Sequence, residues 1–375
     1  MVKTADIRRP GESAGAVVTE AAAFRIEFRR FIASTGKALA PLPQALADPE
    51  RLKAMYRGMV LTRAFDEKAV ALQRTGRLGT YASSLGQEAV SIGVAAAMSD
   101  KDVLLPSFRE QGAQLWRGVK LSEMLLYWGG DERGNAFSGP KEDFPICVPV
   151  GTHFPHAAGV AVAFQLGGEE RVAVAIGGDG ATSKGDFYEA MNIAGVWHLP
   201  VVFVINNNQW AISVPRSVQT AAETLAQKGI AAGIAAEQVD GNDVVAVYDS
   251  AARALERARH GAGPTLIEAV TYRLSDHTTA DDARRYRSDE AVSAHWREEP
   301  IGRLRKYLFS AGIWSRADEE ELLRRCAAEI DEAVKHYLET PPQPPTAMID
   351  HLFATLPKGL RRQREELEGK VADHA

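Results

Sequence analysis

Short apolar runs punctuate the middle of this chain, and each ends in a polar cluster. From Arg171 to Gly177, Val and Ile alternate with Ala, and Val201 to Ile205 is apolar at every position. Runs of this length with no polar face predict strands covered on both sides. Between them, Phe187, Met191 and Ala194 recur at helical spacing within Asp186–Ala194, so the unit reads as strand, helix, strand with a right-handed crossover. The alternation returns later, with a helix over Asp249–Arg259 followed by an apolar run over Gly263–Val270. Upstream, Asp48-Pro49-Glu50 opens an amphipathic helix in which Leu52, Met55, Tyr56, Met59 and Val60 share one face. Downstream, Ser315–Leu338 reads as a charged helix, Pro341–Pro345 as a stiff spacer, and the remainder as a final helix.

These elements predict an α/β fold with a mostly parallel sheet and helices on both faces. Residues 1–48 form an arm with Gly/Pro punctuation and one helix expected around Glu20–Ile32. Residues 49–340 form the α/β domain, and residues 341–375 the spacer and C-terminal helix. No internal repeat is present.

Composition narrows the class. A chain of 375 residues with 45% hydrophobic content can bury a substantial core. The net charge of -5 and pI near 6.0 give no support to nucleic-acid or anionic-membrane binding. Cys147 and Cys326 are too few and too far apart for a disulfide framework or a zinc site, which suits a reducing compartment. Met1–Pro10 lacks a signal-peptide core, and no apolar run approaches the ~20 residues that cross a bilayer, so a cytoplasmic location is expected and a mitochondrial one is disfavoured by Asp6 and Glu12.

The chemistry sits at the ends of the two central runs. The first leads into Gly177-Gly178-Asp179-Gly180-Ala181-Thr182-Ser183-Lys184-Gly185-Asp186, and the second into Asn206-Asn207-Asn208. Asp179 and Asn208 therefore fall beyond the carboxyl ends of parallel strands, where open α/β sheets bind ligands. Magnesium takes about six oxygens and commonly uses only one or two carboxylates plus phosphate. One Asp, one Asn amide oxygen, a backbone carbonyl and a diphosphate would suffice. Gly178 and Gly180 let the backbone approach phosphate, and the next helix N-terminus adds free N–H groups. Two competing glycine motifs fail. Asp186 stands where a P-loop following Gly180 needs Lys, and the third glycine, Gly185, falls two places late for a dinucleotide fingerprint.

Gly178-Asp179-Gly180 followed by Asn207-Asn208 resembles the thiamine diphosphate motif. With Gly185–Glu189, Ala211–Pro215, Val239–Asp243, His277-Thr278-Thr279 and Tyr286-Arg287-Ser288, the chain over residues 50 to 365 resembles the E1 component α subunit of 2-oxo acid dehydrogenase complexes. The resemblance implies a thiamine diphosphate-binding fold. It implies that Asp179, Asn208 and the Trp210 carbonyl hold Mg2+, that Arg109 grips the diphosphate beside Phe108, that Gly180 and Ala181 lie against it, and that Val148 and Val150 support the aminopyrimidine. His277 matches an active-site histidine on a mobile loop that contacts cofactor and the incoming lipoyl group. Imidazole exchanges protons near neutral pH, which suits acyl transfer to an opening dithiolane.

On residue types alone, the segment Leu274–Ser288 reads as a solvated loop, and the resemblance reverses this. Arg273, Arg285 and Arg287 could bridge Asp281, Asp282 or phosphate, and Thr278 falls where animal relatives carry a regulatory phosphoserine. His153 and His156 have no third ligand cluster beside them and are expected to pack or hydrogen-bond near the cofactor. Pyruvate-type relatives carry a further histidine near Arg133-Gly134-Asn135, where this chain has none. Thiamine chemistry also needs an acid at the aminopyrimidine. In the family that acid belongs to a separate E1 β subunit. The expectation is thus an α2β2 heterotetramer that decarboxylates a 2-oxo acid and passes the acyl group to the lipoyl domain of an E2 protein. Pyruvate is the first substrate reading, with branched-chain 2-oxo acids and then acetoin as alternatives.

Overall fold

The computed structural model describes residues 19–372, the side chains of 370–372 excepted. Met1–Pro10 and the first part of the arm lie outside the described residues. In chain order the strands are β1 (Phe28–Arg29), β2 (Val103–Pro106), β3 (Ala173–Gly178), β4 (Val201–Asn207), β5 (Trp210–Ala211), β6 (Val214–Pro215), β7 (Ala235–Asp240) and β8 (Thr265–Val270). The helices are α1 (Pro49–Arg74), α2 (Glu88–Ala97), α3 (Gln111–Trp116), α4 (Leu121–Trp128), α5 (His153–Gly167), α6 (Gly185–Trp197), α7 (Arg216–Gln219), α8 (Gln227–Ala231) and α9 (Val244–Arg259). Then follow α10 (Asp289–His295), α11 (Pro300–Ser310), α12 (Arg316–Glu339), α13 (Ala347–Asp350) and α14 (Lys358–Ala372).

Six strands form one sheet in the order β1-β7-β8-β4-β3-β2, and every pairing in it is parallel. The apolar runs show why both faces are covered. Ala173, Ala175, Val201, Phe203 and Ile205 point into one core with Phe154, Ala161, Phe187 and Met191 of α5 and α6. Val174, Ile176, Val202 and Val204 point into the other, with Val90 and Val94 of α2 and Val247, Ala251 and Leu255 of α9. In β4 the apolar run Val201–Ile205 fills both cores, and the polar residues Asn206 and Asn207 close the strand where it reaches the edge of the sheet.

Helix boundaries follow local chemistry. Asp48 accepts from the Glu50 N–H at 2.9 Å ahead of Pro49, and Ser315 forms a reciprocal box with Asp318 at the start of α12. The stripe Leu52, Met55, Tyr56, Met59 and Val60 is buried as expected, in a third core that α1 shares with α11, α12 and the buried Cys326.

The arm departs from expectation. Residues 19–27 form no helix, and Phe28–Arg29 instead pairs in parallel with β7 as an edge strand. Asp243 is the cause. Its Oδ2 accepts from the N–H groups of both Phe31 and Ile32 at 2.7 Å, while Arg30 donates to Asp240 at 2.5 Å. An extended arm satisfies these groups, which a helix over the same residues would turn inward on itself.

Candidate active site

Four consecutive strand ends on one edge of the sheet supply the site. β2 runs into Ser107–Glu110, β3 into Asp179–Ser183, β4 into Asn208–Trp210, and β8 into Arg273–His277. Phe108, Arg109, Val150, Asp179, Gly180, Ala181, Asn208, Trp210 and His277 all line one cleft of about 260 Å3. Val148 does not line it and is 53% exposed, two residues before Val150 on the rim.

Register places the ligand pair. Gly178 pairs with Asn206, so Asp179 and Asn208 leave adjacent strands side by side. Both are buried, and each is already oriented. Asn208 donates its Nδ2 to Gln87 Oε1 at 2.9 Å and accepts from the Trp210 N–H at 3.2 Å through Oδ1. The donor end of the amide is thereby taken up on the protein side. Asp179 Oδ2 accepts from Gln219 Nε2 at 2.7 Å, and burial pushes its carboxyl above the usual range against the pull of that bond and of Arg273. A carboxylate held in so dry a place favours a cation beside it. Gly178 has no atom within 4 Å of where a Cβ would stand, which leaves room at the turn. A Cβ on Gly180 would come within 2.7 Å of Ala211, so only glycine lets the turn pass β5. Gln209 and Ile212 adopt left-handed backbone at φ 72° and 55°, bending the chain sharply around the cleft.

Arg109 and His277 meet across the opening. The guanidinium donates from Nη1 to the Ser83 carbonyl at 2.6 Å, and from Nη2 to His277 Nδ1 at 2.9 Å and the His277 carbonyl at 2.5 Å. With Arg109 as donor, Nδ1 is the acceptor and the imidazole proton resides on Nε2. Burial, then Arg109 and Arg273, hold the His277 pKa down at about 4. Burial and the neighbouring Arg273 lower Arg109 to about 10. Phe108 packs edge-on against the imidazole at 5.9 Å.

The loop bearing His277 is ordered by its own residues. Asp281 accepts from the His277 N–H at 2.9 Å and from the Tyr286 hydroxyl. Arg273 is fully buried and donates to Tyr286 Oη at 2.7 Å and to the Ile212 carbonyl at 2.9 Å. Arg287 donates to the Arg273 and Ser275 carbonyls, and Arg284 pairs with Asp282, while Arg285 is exposed. The two central arginines thus brace the loop. His153 is 2% exposed, lines the cleft, and neither ring nitrogen has a hydrogen-bond partner. Burial lowers its pKa to about 4. His156 is exposed and tilts against Phe144, and among the described residues no cluster of three or more His, Cys, Asp or Glu side chains converges.

Sequence reasoning passed over Gln87, Gln219 and Glu110. Glu110 lines the cleft, accepts from Ser107 Oγ at 2.7 Å, and is pushed by burial to about 7. Its place directly beside Arg109, between a strand end and a helix start, was a usable signal. Gln87 and Gln219 gave none, since an amide on a helix edge is usually solvated.

Residues 56–346 match the family model described as dehydrogenase E1 component. The 3-methyl-2-oxobutanoate dehydrogenase subunit alpha of Mycobacterium tuberculosis is 44% identical over 323 residues, 86% of this chain and 88% of that protein. The pyruvate dehydrogenase E1 component subunit alpha of Staphylococcus aureus is 41% identical over 321 residues, 85% of this chain and 86% of that protein. With a parallel sheet carrying its polar cluster at the carboxyl edge and a match over most of its length, the chain belongs to the dehydrogenase E1 component family, as an α-type subunit of the 2-oxo acid dehydrogenases.

Proposed function

We propose that this subunit binds thiamine diphosphate through Mg2+ and works in an α2β2 E1 enzyme that decarboxylates pyruvate and passes the acetyl group to lipoyllysine of an E2 protein. The observation that carries the reading is the side-by-side burial of Asp179 and Asn208, with the donor end of the Asn208 amide already engaged by Gln87. One carboxylate and one amide oxygen, with the Trp210 carbonyl nearby in sequence, form a hard-oxygen donor set suited to magnesium and phosphate rather than to zinc.

When bound, thiamine diphosphate supplies the nucleophilic carbon and the electron sink for decarboxylation. The chain's residues do the rest. Arg109 offers a buried guanidinium to the diphosphate, and Gly178 and Gly180 leave space for it. His277 is neutral at pH 7 with its proton on Nε2, so it can hydrogen-bond a sulfur leaving an opening dithiolane and orient it, while the proton that the sulfur takes up comes from water. The acidic side chains in the cleft, Asp179 and Glu110, are held by Gln219 and by Ser107 with the Arg109 N–H. The acid required at the aminopyrimidine is assigned to a β subunit, as the family resemblance implies. An exposed apolar face supports such a partner: Ile193, Val196 and Trp197 on α6 and Leu166 on α5 are 44%, 66%, 55% and 85% exposed.

Branched-chain 2-oxo acids are the second reading. It is favoured by the absence of histidine at 133–135 and by the name of the Mycobacterium relative. Co-expression with a β-type partner, followed by assays with E2 on pyruvate and on 3-methyl-2-oxobutanoate, tests the choice. Higher kcat/KM on pyruvate is expected. The reverse order would establish the branched-chain reading, and no turnover of either would overturn both.

A further inference from the structure

Asp66 lies on the buried side of α1, away from the cleft, and is 2% exposed. Among the described residues its carboxylate makes no ion pair. It gathers donors from a single extended segment. The Tyr81 hydroxyl donates to Oδ1, while Ser83 Oγ, the Ser84 N–H and Ser84 Oγ donate to Oδ2 at 2.8, 2.6 and 3.1 Å. Burial raises the carboxyl to about 6 against the pull of Tyr81 and Ser83, so it is the charged acceptor at neutral pH. Four donors on one buried carboxylate fix residues 81–84 more tightly than backbone contacts would.

That segment holds two parts of the site at once. The Ser83 carbonyl receives Arg109 Nη1 at 2.6 Å. Tyr81 pairs with the His277 loop in both directions: its N–H donates to Thr279 Oγ1 at 3.0 Å, and its carbonyl accepts from the Thr279 N–H at 2.9 Å. Arg109 in turn donates to the His277 ring and carbonyl. A separate cavity of about 620 Å3, lined by Asp66, Tyr81, Thr278, Thr279 and Arg287 among others, borders the same loop. The loop thus borders open space at Thr278 and Thr279, and the Tyr81–Thr279 pair forms part of that cavity's wall.

We propose that Asp66 is a positioning residue that latches the His277 loop and the Arg109 guanidinium to one another, by fixing the Tyr81–Ser84 segment on which both are held. The proposal rests on the thiamine diphosphate reading only for the role of Arg109. The latch itself is a property of the free protein.

The test compares wild type, Asp66→Asn and Thr279→Val in the full chain, in whatever assembly it purifies. Hydrogen exchange of amides 276–282 reads the latch, and calorimetry reads thiamine diphosphate binding with magnesium. Losing a charge-assisted bond corresponds to about a tenfold change. Both single variants should exchange about tenfold faster in the loop, with unchanged rates in β3 and β4, and should bind cofactor about tenfold more weakly. The double variant should do no worse than the weaker single one, because both cut one path. Thr279 lies on a half-buried loop, so its variant folds even where Asp66→Asn does not. Wild-type loop exchange in Thr279→Val, multiplied losses in the double variant, or acceleration spread evenly through the core would overturn the latch. Faster loop exchange in a wild-type background that binds no thiamine diphosphate would uphold the latch and overturn the cofactor reading instead.

Discussion

His277 shows how one residue's environment sets its chemistry. Its imidazole is partly withdrawn from water and faced by Arg109 and Arg273, so protonation is disfavoured and its pKa falls from 6.5 to about 4. The unfolded chain takes up the proton first as pH drops. Its contribution to stability is therefore full above pH 6.5 and is lost as pH falls towards 4. A histidine NMR titration of the cofactor-free protein should place His277 well below the ordinary midpoint. Binding of an anionic diphosphate, which offsets the arginine charge, should move that midpoint upward. An ordinary midpoint in the free protein would show that Arg109 does not face the ring. Asp179 and Asn208 stood out in sequence because polar residues closing an apolar run have few other reasons to be there, whereas Arg109 and His277 were singled out only by the family resemblance. Gln87, Gln219 and Asp66 were not. Each acts through a group distant in sequence: 121 positions separate Gln87 from Asn208 and 40 separate Gln219 from Asp179.

At the scale of elements, the sandwiched strands were readable because both faces are apolar, and their ends moved by only a residue or two. The arm was misread because its conformation is set by Asp243, more than two hundred positions away. That carboxylate also caps α9 by accepting from the Val245 N–H at 3.1 Å. Asp243→Ala removes the cap, worth ~1 kcal/mol. It also strands the Phe31 and Ile32 N–H groups, at ~1 kcal/mol or more where they stay buried. Urea unfolding should show a loss of about 2 kcal/mol, and limited proteolysis should cut near residues 24–36. Unaltered stability with an intact arm would contradict this account of β1.

For the molecule as a whole, α5 and α6 expose Leu166, Ile193, Val196 and Trp197, an apolar set suited to a protein partner. Val196→Asp and Trp197→Asp lie on the surface and should leave the fold intact. Both should weaken assembly with a β-type partner by tenfold or more, as read by sedimentation of the co-purified proteins. Normal assembly of both variants would place the interface elsewhere. Family and architecture were legible across most of the chain, whereas substrate choice was not, because pocket volume depends on few atoms and a methylene is worth only ~1–3 kcal/mol.

The most direct test concerns Asp179. At one hundred times its dissociation constant, thiamine diphosphate with magnesium should stabilise the assembled protein by ~2.7 kcal/mol. Thermal unfolding should show that gain in wild type, lose it when magnesium is withheld, and lose it in Asp179→Ala. A wild-type transition that cofactor and magnesium together leave in place, or an Asp179→Ala variant stabilised as much as wild type, would contradict the account.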